Sequence, residues 1–242
     1  PLIYWDTNLL GTINLVKIMD KYKCYNLVFS SSASVYDSNA KSPLRETTRI
    51  NPISPYGNSK ASIEGFLEDV FKSKNNSWRI CLLRYFNPIG SHPSYLIGEE
   101  TSNKSTNIFP IICKSAFYKN QILNIFGKDW PTKDGTCVRD YIHVVDLVEG
   151  HILAIEYIIK SKPQIIALNL GTGIGISVLE LINVFQNVNN CLVPFQFEKR
   201  RQGDVAICYS DNNYASKILK WKPQKTLEQM CKDGWEWYKN NL

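Results

Sequence analysis

The sequence predicts an α/β fold built on a parallel sheet, for two reasons. Continuous apolar runs such as Leu27-Val28-Phe29 are typical of strands that are covered on both faces. These runs alternate with longer segments in which apolar residues recur at helical spacing, as between Ile63 and Phe71. The alternation favours helices that connect parallel strands by right-handed crossovers. The 242 residues, 44% of them apolar, suffice for one large domain or two small ones.

Each element follows from this pattern in turn. We predict strands over residues 26–30, 78–85, 121–126 and 164–170, with a further apolar segment at 141–144. We predict helices over residues 8–21, 107–119, 146–160, 177–187, 213–220 and 226–239, and one that carries Tyr56 and Lys60. Between them lie the loops 37–54, 86–106 and 127–138. The length of 86–106 is more typical of a substrate loop than of a linker.

The charges argue against an extended nucleic-acid surface. The net charge is +6, from 28 basic and 22 acidic residues that are scattered along the chain. The largest basic cluster is Lys199-Arg200-Arg201. It suits a local anion site, such as one for a pyrophosphate, and equally a solvated surface cluster. We therefore expect no nucleic-acid partner.

The cysteines, histidines and apolar runs argue against a disulfide-bonded, a metal-binding or a membrane-spanning protein. The seven cysteines stand far apart without a C-x-x-C pair, which predicts reduced thiols and a cytoplasmic location. Neither His143 nor His151 has a zinc-type spacing, so no metal site is predicted. No apolar run approaches the ~20 residues of a membrane span, and we expect no membrane partner. Because the chain begins with Pro1 and not with Met, we expect an upstream segment.

The most informative motif is Tyr56-Gly57-Asn58-Ser59-Lys60, preceded by Ser32 in a Ser-rich strand end. A Tyr and a Lys four residues apart lie one turn from each other on a helix face. A phenol with a pKa of about 10 becomes a base near neutral pH only where a fixed positive charge stabilises the phenolate. Lys60 supplies that charge and Ser32 a hydroxyl for the reacting oxygen. The structural alternative is a solvated helix start, here capped by Ser54-Pro55.

The glycine-rich segment Gly171-Thr172-Gly173-Ile174-Gly175 does not fit a dinucleotide fingerprint. It has the spacing G-x-G-x-G and not G-x-G-x-x-G, and no acidic residue closes a second strand about 20 residues later. We interpret it as a tight strand-to-helix turn with Ser177 as the N-cap.

Several segments carry a family resemblance, in order along the whole chain. They are Ser30–Tyr36, Ser54–Lys60, Leu83–Gly90, Ile125–Gly127, Asp134–Val144, Asn169–Gly173 and Arg201–Asp204. The Y-x-x-x-K spacing alone marks only the extended short-chain dehydrogenase/reductase superfamily, whereas G-T-x-V-R-D-Y-I-H-V is specific. Together the segments resemble the UDP-glucose 4-epimerase family.

The resemblance implies a partial Rossmann-type doubly wound parallel sheet with a smaller C-terminal α/β substrate-binding domain. Residues 1–88 would form the C-terminal part of the NAD-binding domain. Residues 89–242 would form mainly the UDP-sugar-binding domain, with segments near 139–177 returning to the sheet. The Gly-rich strand-turn-helix of the family would precede Pro1, so that a first βαβαβ half of about 90 residues is missing from this sequence.

The resemblance also implies the chemistry, an interconversion of UDP-glucose and UDP-galactose through a 4-keto sugar with bound NAD. Tyr56 would take the proton of the sugar 4-hydroxyl. Lys60 would lower the pKa of Tyr56 and bond the nicotinamide ribose, and Ser32 would hold the sugar O4. Phe86 would line the nicotinamide side, and Thr7 stands where the family tends to have an Asn near the cofactor.

The other implied residues would hold the UDP-sugar. They are Asn87, Asn107 and Ile108 near the phosphates, Arg139 and Arg201 as the diphosphate clamp, Asn124, Ile125 and Phe126 beside the uracil, Asp204 at the uridine ribose, and Cys208 beside the sugar 2-substituent. Asn107 would equally serve as a helix cap and Ile125 as strand core. In the family a bulky Tyr at the position of Cys208 excludes an N-acetyl group. We therefore expect the smaller cysteine to admit UDP-N-acetylglucosamine and UDP-N-acetylgalactosamine.

Other functions remain as alternatives. A nucleotide-sugar 4,6-dehydratase needs a further acid and base, and its strand-end motif resembles Thr-Asp-Glu where this chain has Ser32-Ala33-Ser34. A related decarboxylase, a non-catalytic binding protein on the same fold and an inactive truncated fragment are the others. Non-catalytic relatives tend to lose the Tyr or the Lys, and both Tyr56 and Lys60 are present.

A homodimer is the expected assembly. The helix 8–21 and the helix that carries Tyr56 have apolar residues that could form a four-helix contact between two subunits, as the family does. These residues are Leu9, Ile13, Val16, Ile18, Ile63, Phe66 and Val70. Burial within one subunit is the alternative for the same side chains.

Overall fold

The computed structural model describes residues 1–73, 77–99, 107–118 and 120–241. The chain divides into two compact units. Unit 1 comprises residues 1–86, 148–170 and 210–221, and unit 2 comprises residues 87–147, 171–209 and 222–242. Residues 210–221 thus lie in unit 1, although the sequence assigned them to the substrate-binding part. Of the segment 139–177 expected to return to the sheet, residues 148–170 belong to unit 1.

Unit 1 is built on a parallel three-stranded sheet in the order β1-β2-β7. Its strands are β1 (Asn26–Ser32), β2 (Arg79–Tyr85) and β7 (Gln164–Leu170). Strand β1 is two residues longer than predicted, because Ser31 and Ser32 continue the pairing with β2. The parallel pairing and the flanking helices confirm the predicted α/β class.

The N-terminal helical segment of unit 1 begins earlier than the predicted residue 8. A short helix α1 (Leu2–Tyr4) and a π-helical segment (Trp5–Leu10) lead into α2 (Gly11–Lys21). The others are α3 (Pro55–Lys72), α7 (Asn213–Leu219) and most of α5 (Val144–Lys160). Apolar side chains of α2, α3 and β2, together with Trp78 just before β2, form a core of this unit. Those of the three elements are Val16, Ile63, Leu67, Ile80 and Leu82.

Unit 2 contains shorter strands in three small sheets. Strand β3 (Asn87–Ile89) pairs with β6 (Tyr141–His143), and β4 (Leu123–Phe126) pairs with β9 (Phe195–Glu198). The third sheet has the order β10-β5-β8, from Ile207–Cys208, Val138–Arg139 and Ile176–Ser177. Strands β3, β5, β8, β9 and β10 were not predicted, because two to four residues are too few to show an alternating pattern.

Three helices complete unit 2: α4 (Ile108–Tyr118), α6 (Val178–Asn189) and α8 (Leu227–Asn240). The described part of the predicted helix 107–119 begins at Ile108, and residue 119 lies outside the described residues, as do 100–106 of the predicted loop. The core between these helices contains several aromatic side chains, among them Phe109, Phe185, Trp235 and Tyr238.

The glycine-rich turn after β7 is held from inside the protein. The buried carboxylate of Asp140 accepts hydrogen bonds from Thr172 N at 2.7 Å, Thr172 Oγ1 at 2.6 Å and Gly173 N at 3.1 Å. Because these donors already bond a protein carboxylate, they do not form a phosphate cradle. Ser177 caps α6 as predicted, accepting from Glu180 N at 3.0 Å.

Within the described ranges, no group of three or more His, Cys, Asp or Glu side chains is placed to hold a metal ion. No helix in the same part of the chain is long and apolar enough to cross a bilayer.

Candidate active site

The first cluster of predicted site residues lies where α3 meets the end of β1. Ser54 is the N-cap of α3 and accepts a hydrogen bond from Gly57 N at 3.0 Å, with Pro55 as the first helical residue. This cap was predicted, and it starts the helix so that Tyr56 and Lys60 share one face. A side-chain hydrogen bond joins Tyr56 to Ser32.

Lys60 is held against the same strand. Its Nζ donates to the backbone oxygen of Ser30 at 2.9 Å and lies 5.0 Å from the ring centre of Phe29 and 5.7 Å from that of Tyr56. The structure therefore brings Ser32, Tyr56 and Lys60 together in unit 1. This is the arrangement that the motif spacing predicted.

Burial controls the protonation of the Tyr56–Lys60 pair. Burial raises the pKa of the Tyr56 phenol above its ordinary value, and the hydrogen bond with Ser32 opposes the rise. Burial also lowers the pKa of Lys60. The expectation that Lys60 lowers the pKa of Tyr56 stays a prediction, because burial is the largest effect on the phenol and the ammonium donates to Ser30 O.

Two neighbours of the motif shape the strand end. The backbone nitrogen and the hydroxyl of Ser34 donate to Ser32 Oγ at 3.2 and 2.9 Å. Gly57 lets α3 approach this turn, because a Cβ at that position would collide with the backbone oxygen of Ser34 and lie 2.9 Å from Pro52 Cβ. Ser34 was not singled out from the sequence, although its place in the Ser-rich run is a usable signal.

The two other predicted cofactor residues also lie in unit 1. Thr7 is exposed in the π-helical segment, whose next residue Asn8 donates to Ser59 Oγ of α3 at 3.1 Å. The ring of Tyr4 packs edge-on against Tyr56 at 5.7 Å. Phe86 directly follows β2 and is 8% exposed, so that its ring is largely enclosed by the chain.

A second cluster, in unit 2, consists of two arginines around one carboxylate. Arg201 donates to Asp204 Oδ1 at 3.0 Å, and Arg139 lies 3.7 Å from the same oxygen. Arg139 is oriented by hydrogen bonds from Nη1 to the backbone oxygens of Val138 and Val205 at 2.9 and 2.7 Å. The guanidinium of Arg201 lies 5.4 Å from the ring centre of Phe126.

The basic cluster at 199–201 thus contains side chains in different environments. Arg200 donates to Asp129 Oδ1 at 2.9 Å and stacks over Trp130 at 4.2 Å. Its partners are a carboxylate and an indole of the protein, whereas Arg201 lies with Arg139. Arg201 is therefore the arginine of this cluster that shares a carboxylate with Arg139.

The other predicted substrate residues are distributed over unit 2. On β4, Asn124 and Phe126 are exposed while Ile125 is 3% exposed, so Ile125 has only its backbone for a ligand. Asn87 N donates to Asp140 O at 3.0 Å, next to Arg139. Asn107 donates to Glu99 Oε1 at 2.7 Å and precedes Ile108, the half-buried first residue of α4.

Cys208 lies beside the arginine cluster. In the parallel pairing of β10 with β5, Cys208 is aligned with Arg139. The side chain is half-buried, and burial raises the pKa of its thiol to about 11. The thiol is therefore protonated near neutral pH, and a protonated thiol is a weak nucleophile.

Curated relatives show the family. UDP-glucose 4-epimerase from Bacillus subtilis (strain 168) is 45% identical over 242 residues, which is 100% of this chain and 71% of that protein. UDP-glucose 4-epimerase from Dictyostelium discoideum is 43% identical over 241 residues, with 100% and 70% covered. The chain belongs to the UDP-glucose 4-epimerase family. It spans 59 to 71% of the length of such relatives.

Other comparisons agree with the epimerase family. A family model described as GDP-mannose 4,6 dehydratase matches residues 1–234 and represents the wider superfamily. The structure of the Stenotrophomonas maltophila epimerase with bound NAD and formylated UDP-arabinopyranose has a TM-score of 0.95 at 41% identity, covering 99% of this chain and 71% of that one. The Bifidobacterium longum epimerase with NAD+ and UDP has a TM-score of 0.94 at 40% identity, covering 100% and 71%. The Rossmann-like class is thereby confirmed.

Sequence reasoning missed a buried polar network beside the epimerase motif. It links Ser31, Glu64 and Arg84, of which Glu64 and Arg84 form an ion pair at 2.5 Å with side chains 2% and 5% exposed. A usable signal was present. Arg84 follows an apolar strand run, and Glu64 stands one turn beyond Lys60 on the same helix face.

Proposed function

We propose that the protein interconverts UDP-glucose and UDP-galactose by inverting C4 of the sugar. The observation that carries this proposal is the cluster of Ser32, Tyr56 and Lys60, in which a phenol, a hydroxyl and an ammonium converge on one strand end. The identity with UDP-glucose 4-epimerases along the whole chain supports the same reaction.

Three residues of unit 1 have separate roles at the 4-hydroxyl of the sugar. Tyr56 removes the proton of the 4-hydroxyl and later returns it, and Ser32 holds the sugar O4 through its hydroxyl. The hydrogen bonds from Ser34 orient Ser32 Oγ. The 4-keto sugar then turns over within the site and is reduced on its other face, which inverts C4 without net oxidation.

The donor set of unit 1 suits the nicotinamide end of NAD. An ammonium group has three donors, and one of those of Lys60 goes to Ser30 O, which leaves donors for the ribose hydroxyls. Thr7 and Phe86 are the further residues that we assign to this end of the cofactor. When bound, NAD supplies the acceptor for the hydride of C4 and its return. Crystal structures of epimerases at 40 and 41% identity contain this cofactor.

In unit 2 the arginine cluster suits the diphosphate of the substrate. Arg139 and Arg201 place two planar guanidinium groups around Asp204, and such groups bind phosphate oxygens bidentately. We assign Asn87, Asn107 and Ile108 to the phosphate region, Asp204 to the uridine ribose, and Asn124, Ile125 and Phe126 to the uracil. The exposed ring of Phe126 is the apolar surface of this set.

A 4,6-dehydratase is not favoured. That reaction needs an acid and a base at the strand end in addition to the tyrosine. The segment Ser32-Ala33-Ser34 supplies hydroxyls there, and the nearest carboxylate of the network, Glu64, is paired with Arg84.

The proposal is tested with the chain completed by the part of the Bacillus subtilis relative that the match leaves uncovered. We expect equilibration of UDP-glucose with UDP-galactose, followed by NMR of the sugars. Tyr56→Phe should lower kcat by about 10²- to 10⁴-fold, because the proton acceptor is lost. Tyr214→Phe, on an exposed tyrosine of α7, is the control. No equilibration by the completed protein, or full activity of Tyr56→Phe, would contradict the assignment.

We further propose that N-acetylated UDP-sugars are substrates. The support is Cys208, a small side chain in register with Arg139. A structure of the UDP-Glc/GlcNAc 4-epimerase of Campylobacter jejuni matches with a TM-score of 0.81 at 33% identity, covering 99% of this chain and 72% of that one.

We also propose a homodimer and a cytoplasmic location. Leu15 and Ile18 are 49% and 56% exposed on α2, which supports a contact on that face. Val16 and Ile63, which the sequence placed in the contact, are 5% and 0% exposed within their own unit and do not contribute. All seven cysteines are free, which supports a reducing compartment.

A further inference from the structure

A polar row crosses the sheet of unit 1 one residue before its strands end. Ser31, Arg84 and Asn169 are aligned in register on β1, β2 and β7. They are 0%, 4% and 0% exposed. Arginine is almost never fully buried unless it is paired. The buried polar side chains of this row therefore need hydrogen-bond and charge partners within the protein. Those partners show which elements the row holds together.

The main partner is Glu64 of α3. Arg84 Nε donates to both of its carboxylate oxygens, at 2.9 and 3.2 Å, and Nη2 donates to Oε2 at 2.5 Å. The hydroxyl of Ser31 donates to Oε1. A buried ion pair is weak evidence for stability, because the cost of desolvation can exceed the attraction. The bidentate geometry of the Arg84–Glu64 pair, however, fixes the orientation of α3 on the strands.

The pair adds a third polar contact between α3 and the end of β1. Three side chains spaced one turn apart on the helix contact the last three residues of the strand: Tyr56 with Ser32, Lys60 with Ser30 O and Glu64 with Ser31. The third contact lies two turns from the phenol of Tyr56 and is the one that is fully buried. It sets the position of the helix face that carries the other two.

The opposite side of Arg84 holds the chain that follows the Ser32 turn. Arg84 Nη1 donates to Glu46 O at 2.9 Å and to the hydroxyl of Tyr36 at 3.3 Å. The Tyr36 hydroxyl donates to Asn169 Oδ1 at 2.6 Å. Tyr36 directly follows the short 3-10 helix Ala33–Val35, which Ser32 caps. Arg84 therefore connects the helix that carries Tyr56 with the turn that carries Ser32.

We propose that Glu64 and Arg84 are positioning residues that hold Tyr56 and Lys60 in register with Ser32 for proton transfer. This inference rests on the proposed epimerase function. Neither residue contacts the reacting atoms. Their loss should lower kcat and move its pH dependence, with little effect on the KM for the UDP-sugar.

The test is the variant Glu64→Gln with Arg84→Met in the completed protein. Removing both charges leaves no unpaired buried ion, and the amide oxygen of the introduced glutamine keeps an acceptor for Ser31. We expect kcat to fall about 10- to 100-fold with KM changed less than about threefold. Glu68→Gln removes an exposed carboxylate of the same helix, which pairs with Lys72 at 3.3 Å. It should leave both constants unchanged.

A second readout does not depend on turnover. Ultraviolet titration of tyrosinate, corrected with Tyr56→Phe, should give a higher pKa for Tyr56 in the double variant, because the hydrogen bond with Ser32 is lost. If the double variant unfolds, Arg84→Lys is measured in the same way. This variant keeps the positive charge and removes the bidentate guanidinium group. An unchanged kcat and Tyr56 pKa in a folded variant would overturn the proposal. A decrease in kcat that is fully explained by a smaller fraction of folded protein would also overturn it.

The two proposals fail separately. If the completed wild type equilibrates no UDP-sugar, the proposed function is wrong, and the Tyr56 titration alone decides the positioning role. If the wild type is active and the folded variants equal it, only the positioning role is wrong.

Discussion

The protonation of Tyr56 and Lys60 is governed by burial more than by the charge of their neighbours. The phenol of Tyr56 and the ammonium of Lys60 are both half-buried, and burial shifts the pKa of each group toward its neutral form. The tyrosine therefore retains its proton in the structure as described. Because a pKa shift measures the difference in interaction between two protonation states, a bound cation or substrate hydroxyl would favour the phenolate again.

The size of one residue leads to a prediction on substrate choice. Replacing Cys208 by Tyr adds a ring beside Arg139, with which Cys208 is aligned. We expect kcat/KM for UDP-N-acetylglucosamine to fall by at least about 100-fold, and that for UDP-glucose to change less than about threefold, because steric exclusion acts only on the larger sugar. Steady-state assays on both sugar pairs measure this.

The control for that prediction is Cys208→Ala, which keeps a small side chain and should keep both activities. Rejection of N-acetylated sugars by the wild type would show that other residues fill the pocket. Equal use of both sugars by the Tyr variant would show that Cys208 does not border the 2-substituent.

Secondary-structure elements are tied together by a few buried polar contacts. In unit 2 the imidazole of His143, at the end of β6, joins this strand to α8. Its Nδ1 accepts from Val145 N at 3.0 Å, which places the proton on Nε2, and Nε2 donates to Asp233 Oδ2 at 3.2 Å. Burial lowers the pKa of His143, while Asp233 and Asp146 oppose this and Lys225 adds to it.

This contact predicts that stability depends on pH. The native pKa of His143 lies below the ordinary value of 6.5, so the unfolded state binds more protons in that range. The unfolding free energy should therefore fall as the pH decreases from about 7 to 5. Thermal unfolding of the completed protein at several pH values should show a smaller slope for His143→Asn. His92→Asn, an exposed histidine, serves as the control, and equal slopes for wild type and His143→Asn would contradict the prediction.

At the scale of the whole molecule, the exposed face of α2 bears on assembly. Leu15, Ile18 and Tyr22 lie at helical spacing and are 49%, 56% and 71% exposed. Apolar stripes of this kind are typical of interaction surfaces. Their position on α2 is compatible with the proposed homodimer, whose contact then uses the face opposite to Val16.

A charge on this stripe should dissociate the dimer. We expect the completed wild type to have the mass of a dimer by light scattering at micromolar concentration. Ile18→Glu should give a monomer, because a carboxylate would be buried without a partner. Lys17→Glu, which adds the same group outside the stripe, should leave the dimer intact. A monomeric wild type, or a dimeric Ile18→Glu variant, would count against this surface.

The sequence by itself determined the α/β class, the strands of the unit 1 sheet and the placing of Tyr56 and Lys60 on one helix face. Continuous apolar runs and helical spacing are local properties, and the cap formed by Ser54 and Pro55 acts within one turn. The spacing of Tyr56 and Lys60 places both on one helix face in any helix. These features could be predicted because the residues that produce them are close together in the sequence.

Tertiary structure alone decided the rest. The short strands of unit 2 form only because they pair with strands that are distant in the sequence. With two to four residues each, they are too short to show an alternating apolar pattern. The network of Ser31, Glu64 and Arg84 depends on the register between strands and helix, which no local pattern specifies. The pKa of Tyr56 shows the same limit most clearly. The sequence supplied the charge of Lys60, but burial, which arises only when the chain packs, set the direction of the shift.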